Sequence, residues 1–141
     1  MISINNIIGK FYGLRSAVVA RSLRPVEAYE PGSAQWLQAA EVRFGGRVRF
    51  VSRNVVSPHD PAAYDADLQG GDRMIHHRYA RHYATHLGRF VEKRDDPWVI
   101  VEVGILRGTG LAIWSSLFPN AEVIGLDIDT SHCRGNLDYL R

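Results

Sequence analysis

A few residues in the second half of the chain have the types and the order needed to hold a charged, hydroxyl-bearing ligand. Glu102 lies near the end of a short apolar run from Trp98 to Val103. Gly104, Gly108, Thr109 and Gly110 follow it, and Asp127 closes a second apolar run, Val123 to Leu126. A carboxylate in an apolar strand is costly unless it sits at the strand's carboxyl end and meets a donor. That end is where open α/β sheets bind ligands. Glycines there let the chain turn with positive φ and let a ligand come close to the backbone. The amides near Thr109 and Gly110 would face an anionic ligand group at the start of a helix, aided by its dipole. Asp127 is placed to accept two hydrogen bonds from a ribose diol, the role an acid takes after the second strand of dinucleotide folds. Asp129, two residues on, is assigned to the start of the next helix.

These residues need a strand, a tight loop, a helix and a second strand to position them. The β-branched run Val99, Ile100, Val101, Val103 lacks alternation and predicts a strand covered on both faces, as in a parallel sheet. Leu111 to Phe118 predicts a short helix with Leu111, Trp114, Leu117 and Phe118 on one face, ended by Pro119-Asn120. A crossover this short predicts a right-handed, parallel strand–helix–strand unit. The plainer alternative, that the glycines serve only to pack a tight turn, leaves Glu102 and Asp127 without a purpose.

The spacing of the glycines separates the candidate ligands. A nicotinamide fingerprint, G-x-G-x-x-G/A, fails because Ile113 stands at its third position, and there is no G-x-x-x-x-G-K-[ST] loop. What remains is E-x-G-x-x-x-G-x-G followed by a strand ending GLDID. This resembles motif I and the acidic second-strand end of class I S-adenosylmethionine-dependent methyltransferases. A second stretch, GGDRMIHHRYARHY from Gly70 to Tyr83, is similar to the G-x-D-K-G-x-x-H-x-Y-x-x-x-Y segment that precedes motif I in sugar and macrolide O-methyltransferases. Asp72, His77, Tyr79 and Tyr83 match it; Arg73 replaces a lysine and Met74 a glycine.

The resemblance implies an α/β chain, a partial Rossmann-like methyltransferase fold: the first βαβ unit of a mostly parallel sheet, preceded by a helical N-terminal region. It implies an enzyme that binds S-adenosyl-L-methionine and methylates a hydroxyl of a sugar or natural-product acceptor. Glu102 and the Gly104–Gly110 loop would face the methionine part of the cofactor, Asp127 the ribose, and His77 and Tyr79 belong to the implied cofactor set. By its helical spacing alone, Tyr79 reads as a core residue. In metal-dependent relatives the magnesium ligands and the base come later in the sheet, and no magnesium ligand or catalytic residue is identified in this sequence. The implied division is an N-terminal helical and extended region over 1–69 and the first part of the cofactor-binding domain over 70–141. Because the chain stops at Arg141, soon after the second strand, it is expected to be the front portion of such an enzyme. The expectation is that it has no turnover alone and depends on a homo-oligomer or a complementing chain. A non-catalytic membrane- or partner-binding module with a vestigial crevice is the alternative.

The rest of the chain bounds the reading. At 141 residues, with 45% hydrophobic and 23% charged residues, it can bury a core and is not disordered by composition. A net charge of +2 is too mild to argue for nucleic acid, and none is expected as a partner. A single cysteine, Cys133, excludes an internal disulfide and suits a cytoplasmic setting. It reads as a small buried or semi-exposed residue. Residues 1–24 trace an apolar helical stripe whose only charges, Lys10, Arg15, Arg21 and Arg24, are basic. Such a segment docks on the domain or a partner, or lies on a membrane surface. Pro25 to Gly32 reads as a linker. Ser33 caps a predicted helix with Trp36, Leu37, Ala40 and Phe44 on one face, against the rival of a hairpin across Gly45-Gly46. Arg47 to Val56 reads as extended. Ile75 to Val91 predicts a helix with Asp72 in its cap region. His82 and His86 have i, i+4 spacing but lack the glutamate of H-E-x-x-H and a third ligand, so they read as an exposed face, and no metal site is assigned.

Overall fold

The computed structural model describes residue 15, residues 18–45, residues 73–134 and residue 136. Most of the basic segment, the extended reading of Arg47 to Val56, the Asp72 cap and the last residues from Leu137 lie outside them.

Ser33 starts the first helix, α1 (Ala34–Arg43), because its hydroxyl accepts the Trp36 amide proton at 3.1 Å. The helix is chosen over the hairpin because Trp36, Leu37, Ala39 and Ala40 all go into the core from it. The stretch before it is no loose linker. A single 3-10 turn, Val26–Ala28, buries Val26, and the Tyr29 hydroxyl accepts the Arg24 amide proton at 2.8 Å.

The second helix, α2 (Tyr79–Val91), begins later than the stripe from Ile75 predicts. Residues 73–78 lie outside it, tied down at one end and broken from the helix at the other. The buried Glu41 carboxylate of α1 accepts the amide protons of Met74 and Ile75, at 2.9 and 3.0 Å. Arg78, just before the helix, has φ 62, a left-handed backbone that stops helical propagation.

Strand β1 (Val99–Val103), helix α3 (Thr109–Leu117) and strand β2 (Glu122–Leu126) then follow as the periodicity predicts. The strands are parallel, with Val99 opposite Glu122 and Val103 opposite Leu126. A short helix, α4 (Ser131–Arg134), comes last. The result is a mixed helix and strand structure with a two-stranded parallel sheet among the described residues.

The core lies on one side of that sheet. Ile113, Trp114 and Leu117 of α3 pack with Trp36 and Leu37 of α1 and with Ala80 and Val91 of α2. Helix α3 is therefore buried on more of its circumference than a single apolar face, because it is sandwiched between the sheet and α1. The core draws on residues from both sides of position 70. The opposite face of the sheet is open. Val99, Val101 and Val103 are 61%, 53% and 79% exposed, and Ile124, Leu126 and Ile128 are exposed beside them. The expectation of a strand covered on both faces is thus corrected: α3 covers the face of Ile100 and Glu102, and no described element covers the other. No helix among the described residues is long and apolar enough to cross a membrane.

Candidate functional site

The carboxyl ends of β1 and β2 and the loop between β1 and α3 form the site. The loop is built on positive φ angles, 81° at Gly104, 45° at Leu106 and 86° at Gly108. Gly108 is the residue before α3, and no side chain caps that helix. The Gly104 amide donates to the Leu126 carbonyl at 2.8 Å, so the loop leaves the sheet still tied to β2.

Glu102 is buried at 7% exposure on the helix side of β1. Its carboxylate lies directly under Gly110: a Cβ at that position would come within 2.2 Å of either oxygen. Only glycine lets the first turn of α3 settle over the carboxylate. The charge is met by Arg73 from the loop before α2, whose guanidinium approaches one carboxylate oxygen at 2.5 Å as an ion pair. Neither carboxylate oxygen accepts an aligned hydrogen bond from the described residues. Glu102 thus meets a cation, Arg73, near the strand's carboxyl end, as an ion pair without an aligned hydrogen bond.

Asp127 turns toward the loop. One carboxylate oxygen accepts the Leu106 amide proton at 3.0 Å and the other the Asp129 amide proton at 3.1 Å. The Leu106 bond, then the Asp129 bond, hold its carboxyl below the usual carboxylate range. Asp129 accepts the Ser131 amide proton at 2.9 Å, at the start of α4 as its position predicts. Asn136, fully buried, donates to the Arg107 carbonyl at 3.1 Å and so fixes the far side of the same loop.

The structure brings Glu102, Gly104, Gly108, Thr109, Gly110 and Asp127 to one end of the sheet. Tyr79 is not a core residue: it is 47% exposed, because α2 begins with it and its first turn overhangs the core. Its ring stacks on His77, also exposed, at 5.7 Å between centroids. His82 and His86 are exposed on α2. Cys133 is buried, and burial first, then the Asp127 charge, pushes its thiol up. The reading of the sequence missed Arg73 as the partner of Glu102, Glu41 as the anchor of Arg73's loop, and Asn136. Only the substitution at Arg73 within the matched segment drew attention to any of them.

A groove of about 520 Å³ runs beside this site along all of β1, between the strand and Tyr83, Leu87, Phe90 and Trp98. Glu102 and Arg73 supply its charges, and neither the glycine loop nor Asp127 lines it. Among the described residues it follows the edge of β1 away from β2, and it shares Glu102, Arg73 and Tyr79 with the surroundings of the loop site.

Compared with family models, with curated proteins and with solved structures, the chain has no match in any of the three.

Proposed function

We propose that the loop site binds S-adenosyl-L-methionine, and that this chain is the cofactor-binding part of a cytoplasmic methyltransferase acting on a hydroxyl of a sugar or natural product. The observation that supports this reading best is that two carboxylates, Glu102 and Asp127, meet one glycine loop from the ends of adjacent parallel strands. The residues present suit the group. Glu102 has buried oxygens without an aligned donor. Asp127 accepts the Leu106 and Asp129 amide protons, and the Ile105 and Ile128 amides also act on it, so a ribose diol would share its oxygens with this backbone cradle. Within this proposal the fold is the first βαβ unit of a Rossmann-like sheet.

When bound, the cofactor supplies an electrophilic methyl group on sulfonium. The chain's own residues position it. Asp127 takes the ribose and, through Leu106, sets the loop. Glu102 and the first turn of α3 take the methionine end, and Arg73 balances the charge of Glu102. Methyl transfer depends mainly on such positioning and on a base that takes the hydroxyl proton. No residue is assigned to that base, and His77 and Tyr79 remain at the exposed entrance to α2 as proposed cofactor contacts.

The test is calorimetric titration with S-adenosylhomocysteine and, separately, with NAD. The proposal expects saturable binding of the first and none of the second. The reverse order of affinity would make the site a dinucleotide crevice. A second reading, a partner-binding module, is favoured by the exposed apolar face of β1 and β2. It predicts neither ligand bound and a change in self-association when that face is made polar.

A further inference from the structure

The loop that carries Arg73 to Glu102 also borders a second, unrelated space. Beyond Glu41's two backbone bonds, His76 and Arg78 join Arg15, Arg81 and Gln38 around a small cavity of about 70 Å³. No carboxylate among the described residues lines it. Arg15, Arg78 and Arg81 form no ion pair among the described residues. The Glu41 carboxylate accepts the amide protons of Met74 and Ile75 on the same loop. Three guanidinium groups collected around one enclosure, with no counter-charge among the described residues, repel each other, and an anion between them removes that cost. Arginine is also the side chain whose planar fork matches phosphate oxygens two at a time. Moreover, Arg78 holds its place with a left-handed backbone that glycine would adopt without strain.

We propose that this cavity binds a phosphate-type oxyanion, carried either by a small phosphorylated molecule or by the headgroup of an acidic lipid. The space holds a tetrahedral oxyanion but not a base or a ring system, so the rest of the ligand lies outside. The proposal stands apart from cofactor binding at the glycine loop, and either can fail without the other.

The experiment uses the full chain at low ionic strength. Inorganic phosphate and pyrophosphate are titrated in a calorimeter. In parallel, the protein is sedimented with phosphatidylcholine vesicles with and without phosphatidic acid. The variant is Arg78→Gln/Arg81→Gln. Its control is Arg89→Gln/Arg94→Gln, an equal charge change at and just past the other end of the same helix, and circular dichroism checks that each is folded. Binding is expected in wild type and control and to weaken tenfold or more in the variant. If the loss appears with dissolved phosphate the ligand is a small phosphorylated molecule; if it appears only with phosphatidic acid the ligand is the lipid headgroup. Failure of wild-type protein to bind in either arm would overturn the proposal. So would equal weakening in variant and control, which would reduce the effect to net charge.

Discussion

Gly110 and Glu102 act as one unit. Replacing Gly110 by alanine drives a Cβ into the buried carboxylate, so Glu102 must leave its place under the helix and its ion pair with Arg73 must shift. Gly110→Ala should cost about 1–3 kcal/mol in urea unfolding, the ordinary range for overpacking. In a Glu102→Ala background the same change should cost only a few tenths of that range, because the obstruction is gone; the double-mutant cycle isolates the contact. Asp127 carries a pH dependence. Its folded-state carboxyl is held low by the Leu106 and Asp129 amides, so its contribution is fully present above the ordinary carboxylate value of about 4. That contribution is lost as pH falls through the lower folded value. Stability of Asp127→Asn measured against pH should lack this acid-side loss. Both carboxylates were legible in the sequence, because charge at a strand end stands out against an apolar run. Arg73 as the partner of Glu102 was not, since nothing local relates residues so far apart along the chain.

Helix α1 acts on the site through the loop before α2. Glu41 is buried and binds two backbone amides of that loop, and the loop presents Arg73 to Glu102. Glu41→Ala leaves those donors without their acceptor and should cost about 2–4 kcal/mol by chemical denaturation. The left-handed backbone at Arg78 explains why the stripe from Ile75 misplaced the start of α2. Apolar spacing continues through Ile75, but the helical backbone is broken just before Tyr79. In the glycine loop the misfit is smaller and reversed. Leu106 sits at φ 45 where its side chain is a liability. Leu106→Gly should be neutral or stabilising by up to about 1 kcal/mol, and it leaves the amide that Asp127 accepts in place. The βαβ elements themselves were legible to within a residue or two, because two short β-branched runs flank a helical stripe. The helix Ala34–Arg43 was legible through Ser33, whose hydroxyl makes the capping bond its type predicts.

At the largest scale, among the described residues, helices crowd one side of the sheet and leave the other apolar and exposed. Sequence could not give this asymmetry: a run of β-branched residues says that both faces are apolar, not that both are covered. Val101→Lys should therefore reduce concentration-dependent self-association in analytical ultracentrifugation with little loss of melting temperature, since Val101 is already 53% exposed. The side that is packed holds the glycine loop between two carboxylates, and on that arrangement the account of function depends. The most direct measurement is the affinity of S-adenosylhomocysteine for wild type and for Asp127→Ala, by calorimetry at neutral pH. The account predicts a loss of tenfold or more, the scale of a charge-assisted hydrogen bond to a diol, with the variant still folded. Equal affinities in the two proteins would contradict it.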